Sequence, residues 1–197
     1  KKGLYNEFLG VSSHELYHTW NVKKIRDEKM IPYDFTKENY SELGYIAEGI
    51  TTYYEDQMLL RSGAFNNQEF EYCFNQFLTK HFDNFGRFNM SVAQSSVDTW
   101  LDGYEQGIPN RKVSIYNEGA LIAFIIDVTI IKLTEGKCSL DNVMQQLFEQ
   151  YGKKRIGINK EIYQATIKQI CGDDLQDIFD DLYYGTNDFT PYLKDCF

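Results

Sequence analysis

The sequence predicts a mainly helical, all-α domain. Long Pro-free segments, from about Tyr5 to Ile25 and from Ser114 to Leu133, carry apolar residues at helical spacing. Glycines follow such segments at Ser62-Gly63 and Glu135-Gly136, where helices commonly stop. Ser139 precedes another as a good N-cap.

Taken in order, the first helix is expected over about Tyr5 to Ile25, with Phe8, Val11, Leu16 and Trp20 recurring at roughly helical spacing. Lys29 to Thr36 contains Pro32 and reads as a loop, because Pro cannot continue a helix. A second helix is expected from about Ser41 to Leu60 and a third from Gln68 to Phe82. Asp83 to Arg111, with Gly86, Gly103, Gly107 and Pro109, is expected to wrap the surface as loops and short turns. The apolar stretch Ser114 to Leu133 predicts a helix buried on most sides. Ser139-Leu140-Asp141-Asn142 opens the next, which ends near Gly152. Two more are expected at Asn159 to Ile170 and Asp173 to Tyr184. No repeat, low-complexity tract or flexible linker divides the chain, so residues 1–197 read as one domain. Lys1-Lys2-Gly3 reads as the cut end of a longer chain.

A chain of 197 residues can bury most of its apolar surface around a single core. Its net charge of -9 argues against nucleic acid, which is bound by clustered Lys and Arg. The short runs Lys23-Lys24-Ile25-Arg26 and Lys153-Lys154-Arg155 read as solvated faces. The longest apolar run, Ala120 to Ile131, contains Asp127 and is too short to cross a bilayer, so no membrane segment is expected. Cys73, Cys138, Cys171 and Cys196 form no CxxC pair, which disfavours a thiolate metal site.

The chemistry concentrates at His14-Glu15-Leu16-Tyr17-His18. Residues four apart lie one turn apart on the same helix face, so both imidazoles can reach one Zn²⁺ ion. Glu15 then stands where a general base can take a proton from the attacking water. The third His of the chain, His81, reads as a surface or packing residue. A further His soon after the motif is ruled out, because Asn21 and Lys24 occupy the places that pattern needs. A carboxylate must complete the ligand set, and Glu38 and Glu48 are the candidates. Glu38 sits among polar neighbours. Glu48 lies in the apolar segment Tyr45-Ile46-Ala47-Glu48-Gly49-Ile50, where a buried carboxylate is costly unless a cation compensates it, and this favours Glu48. Glu55, two helical turns beyond, either faces solvent or accepts a hydrogen bond from the second nitrogen of a ligand His.

His14 to Arg26, Ala47 to Tyr54, Ser95 to Trp100 and Ser114 to Ala120 together resemble, in the same order, the glycyl aminopeptidase family, zinc peptidases of the gluzincin group that usually carry a PDZ domain. The resemblance implies the helical C-terminal lobe of a thermolysin-like catalytic domain, with the upstream β region, its amine-recognising residues and the PDZ domain absent from this chain. It implies a peptide substrate cleaved from its N-terminus, with zinc on His14, His18 and Glu48. It assigns Tyr116 the role of donating to the oxyanion, and reads Trp20 as a cleft wall and Asn21 as fixing backbone. Glu118 stands where the family usually has Lys, and Asp27 where Pro is common. Two alternatives remain: a zinc endopeptidase with the same chemistry, and a non-catalytic peptide-binding domain that keeps zinc for stability. An intact Glu15 speaks against the second, since a structural site needs no base.

Overall fold

The computed structural model of the protein describes residues 2–102 and 107–197, and side chains for residues 3–99 and 107–197. Gly103 and the side chain of Trp100 lie outside the described residues. Within them the chain is mainly helical, with only two isolated β-bridges, Asn21 to Ile25 and Asp27 to Ile158.

The apolar segment forms α5 (Ile115–Leu133), capped by the Ser114 side chain, and this helix is the centre of the core. Leu121, Ile122, Ala123, Ile125, Ile126 and Ile130 are fully buried. Around it pack α2 (Ile50–Ser62), entered through a π-helical turn at Tyr45–Gly49, and α3 (Asn67–Asp83), whose Asn66 and Glu69 make a capping box. The one acid in the apolar run, Asp127, is satisfied at both oxygens. It accepts from the Tyr53 hydroxyl at 2.6 Å and from the Leu140 amide at 2.6 Å, tying α5 to α2 and to the start of α6 (Leu140–Leu147).

Three expectations are corrected. The segment Asp83 to Arg111 is not all loop, because Val92–Asp102 forms α4. The Asp98 carboxylate on that helix grips Arg111 through two bonds of 2.5 and 2.7 Å, and Ser95 accepts from the Val113 amide. Together they fasten the chain entering α5.

The first helix is shorter than its periodicity suggests. α1 spans Lys2–Tyr17 and ends one residue before the motif is complete. Tightened turns follow it, and Val22 takes a left-handed φ of 85°.

The apolar positions of α1 point away from the core. Leu4, Phe8, Val11 and Leu16 are exposed, Phe8 at 65%, while Gly10, Ser13, His14 and Tyr17 turn toward α2. Trp20 is half-exposed and lines a groove with Tyr17, Tyr54 and Met144 behind the helix, so it is not a wall of the cleft described below.

Further along, α7 (Lys160–Cys171) and α8, a helical segment from Gln176 to Tyr183, match the expected pair, and α9 (Thr190–Cys196) follows. The expected loop after the motif includes a short 3-10 turn, Glu28–Met30.

Gly49 and Gly119 make the approach between the Tyr45–Ser62 segment and α5 possible. A Cβ on Gly119 would lie 2.7 Å from the Gly49 Cα, and one on Gly49 would lie 2.5 Å from the Gly119 Cα. Both neighbours are backbone and cannot yield without moving a helix. Gly119→Ala is therefore expected to lower stability by about 1–3 kcal/mol in chemical denaturation, in spite of the better helix propensity of Ala. An unchanged midpoint would show that the two helices have slack.

Candidate metal centre

The last turn of α1 delivers His14 and Glu15 to a cleft, the residue just past its end delivers His18, and the π-helical turn delivers Glu48 to meet them. Such a turn widens the helix locally and re-aims its side chains, a device frequent at functional sites. Glu48 Oε2 stands 3.3 Å from His14 Nε2 and 3.2 Å from His18 Nε2. These three residues are the group among the described residues whose donor atoms can hold a metal ion. Ligands placed tetrahedrally at about 2.0–2.2 Å from one ion are about 3.3–3.6 Å apart, so the separations fit a Zn²⁺-sized ion.

The second nitrogen of each imidazole is already committed. His14 Nδ1 is 2.7 Å from Glu55 Oε2, and His18 Nδ1 is 3.2 Å from the Asn21 carbonyl oxygen. A carboxylate and a carbonyl only accept, so in the neutral rings the proton sits on Nδ1 and the Nε2 lone pairs face Glu48. Glu55 thus makes the contact with a motif His that its spacing from Glu48 allowed. Asn21 ties the two halves of the centre together. Its Nδ2 donates to the Ile46 carbonyl at 2.6 Å, to the Ala47 carbonyl at 3.2 Å and to Thr51 Oγ1 at 3.0 Å, which pins the turn carrying Glu48.

Electrostatics follow from this packing. Burial alone would lower the pKa of His14, but the carboxylates of Glu48 and Glu55 overcome it and raise the pKa to about 9. Burial alone would raise that of Glu48, and the two imidazoles overcome it and hold it near 2. Metal-free, the centre is therefore an ion pair at neutral pH.

Glu15 is exposed and lines the same cleft. Tyr116, at the head of α5, also lines it, with its ring 6.1 Å from that of His14. Glu38 lies exposed on a loop and is not in the group. His81, read from the sequence as a surface or packing residue, is fully buried, with Nδ1 2.6 Å from Glu118 Oε2. The two are 37 positions apart, and no local pattern signals the pairing.

The molecule is a helical domain with two imidazoles and a carboxylate converging in a cleft. The family profile for M61 glycyl aminopeptidases matches residues 7–122, more than half the chain. The chain belongs to that family. It is also similar to the crystal structure of an aminopeptidase N family protein from Idiomarina loihiensis, with 30% identity and a TM-score of 0.90 over 97% of this chain. The chain spans 33% of the length of that protein. No curated protein matches it.

Beside Glu55, Asp56 is buried and has a raised pKa of about 7, through burial first and the Glu55 charge second, with the Cys73 thiol opposing them. A carboxyl with a raised folded-state pKa contributes stability that is complete below its ordinary value near 3.8 and is lost as pH rises through about 7. Asp56→Asn, neutral at every pH, is expected to be more stable than wild type by about 1–4 kcal/mol at pH 8, and nearly equal to it at pH 3.5. Denaturant melts at the two pH values check this, and an equal difference at both would contradict it.

Proposed function

We propose that the protein is a zinc-dependent peptidase acting on peptide N-termini. The observation that carries this reading is the set of donor separations, 3.2 and 3.3 Å, with both imidazoles held through Nδ1 and Glu15 in the same cleft. Family membership and the similar aminopeptidase N family structure support it. His14, His18 and Glu48 hold the metal, and Glu55 and the Asn21 carbonyl orient the two imidazoles.

When bound, Zn²⁺ supplies Lewis acidity that polarises the scissile carbonyl and eases deprotonation of water. Glu15 takes the proton of the attacking water and then delivers it to the departing amine. Tyr116 donates its hydroxyl hydrogen to the oxyanion as the carbonyl carbon becomes tetrahedral. A purely structural metal site would have no use for an exposed carboxylate at the position of Glu15, so the catalytic reading is preferred to a zinc-stabilised binding domain.

The chain is read as the helical catalytic part of a longer protein, with an upstream β region and a PDZ domain. The exposed apolar side of α1, carrying Leu4, Phe8 and Val11, supports this, because a solitary domain rarely leaves such a face in water.

In the full-length protein, Glu15→Gln is expected to keep zinc and lose turnover by about 10²–10⁴-fold or more, since the amide cannot accept the proton. Unaltered hydrolysis with metal bound would rule out the mechanism. Tyr116→Phe is expected to lower kcat and kcat/KM together by about 10²–10³-fold with KM almost fixed, the signature of an interaction made only in the transition state. A change confined to KM would assign Tyr116 to ground-state binding instead.

The shifted ionisations give a third test. At pH 7 metal-free His14, with its pKa near 9, carries a proton that Nε2 coordination must expel, while Glu48, near 2, has none to lose. Zinc uptake should release about one proton, read by calorimetry in buffers of different ionisation enthalpy. Uptake without proton release would contradict the protonated state of metal-free His14.

A further inference from the structure

A second cavity, of about 440 Å³, opens beside the metal centre and shares Val22, Glu48 and Tyr116 with it. Its volume is in the range of small-ligand pockets. The walls are apolar, formed by Ile25, Met30, Leu43, Ile46, Ile115 and Ile158. Apart from Glu48, two charged residues line it, Arg26 and Asp27. Asp27 is occupied internally, accepting from the Lys29 amide at 2.9 Å and from the Ser41 hydroxyl.

Arg26 is different. Its Nε donates to the Val22 carbonyl at 2.9 Å, and its guanidinium lies over the Tyr33 ring at 5.4 Å. It has no carboxylate partner among the described residues. The structure therefore holds a cation in fixed geometry at an apolar cavity, next to the residue where that cavity meets the metal cleft.

The metal cleft has the opposite character. Glu15, Glu48, Glu55 and Glu118 line it, against Lys23 and Lys80. The free carboxylate of a short peptide is therefore drawn to Arg26 and away from the carboxylate-lined cleft.

We propose that this cavity binds the residue on the carboxyl side of the scissile bond, taking a large apolar side chain, and that Arg26 pairs with that residue's free carboxylate. The preferred substrates are then dipeptides ending in a large apolar residue. Arg26 and the cavity walls act as specificity determinants.

This inference rests on the peptidase reading, but binding can test it separately from turnover. The zinc-loaded full-length protein carrying Glu15→Gln is titrated calorimetrically with Gly-Phe, Gly-Phe-amide and Gly-Gly. Gly-Phe is expected to bind about tenfold or more tightly than either of the others, the first difference reporting the charged pair and the second the apolar cavity. Adding Arg26→Gln should erase the preference for the free acid over the amide. Adding Ala47→Leu, or Thr99→Leu from another part of the lining, should narrow the cavity and erase the preference for Phe over Gly. Equal binding of acid and amide, a preference that survives Arg26→Gln, or no binding of any of the three would overturn the proposal. Failure of the peptidase reading looks different: the dipeptides bind, and protein with Glu15 intact and zinc bound leaves them uncut.

Discussion

Three polar side chains must stand within about one hydrogen-bond length of each other in a half-buried cleft, and most of the architecture answers that demand. Glu48 cannot be held 3.2–3.3 Å from two imidazoles without compensation, and without a metal the compensation is a proton on His14. Positions, too, must be fixed from outside the group. Glu55 fixes the ring of His14, and the Asn21 carbonyl fixes that of His18. The side chain of the same Asn21 grips the carbonyls of the turn that presents Glu48. One residue thereby registers the end of α1 against the start of the Tyr45–Ser62 segment.

The second level of support is the contact between Gly49 and Gly119. It places the Glu48 turn directly against the first turns of α5, which carry Tyr116, so two groups 68 positions apart face a single cleft. Behind that contact lies the largely apolar interior of α5, and in front of it the buried pair of His81 and Glu118 joins α3 to the same helix. Large buried residues thus stand behind a polar cleft whose members are individually costly to bury. Rigidity of this sort holds the three donor groups in place.

The legibility of the sequence varied with the range of the interaction. His14, Glu15 and His18 could be read because their geometry is local to one helix. Glu48 could be read because an acid in an apolar segment needs a reason. The Glu55 contact was one of two placements that helical spacing allowed, and the partner helix decides between them. What escaped depended on distant partners or on competing signals. The glycines and Pro109 of the Asp83–Arg111 stretch obscured α4, which the clamp of Asp98 on Arg111 stabilises. The periodicity of Phe8, Val11 and Leu16 marked an apolar face correctly but could not say which way it turns. The contacts of Ser13 and His14 with Glu55 point it outward. The end of α1 at Tyr17 has no Gly or Pro to announce it, because tertiary bonds made by Asn21 hold the turns that follow.

The identity of the metal and its ligands is tested most directly by anomalous diffraction at the zinc edge from crystals grown with stoichiometric zinc. The expected result is one strong peak per chain, within about 2.0–2.2 Å of His14 Nε2, His18 Nε2 and a Glu48 carboxylate oxygen. A peak bound to Glu38 with Glu48 turned away, or no peak between the two histidines, would contradict it.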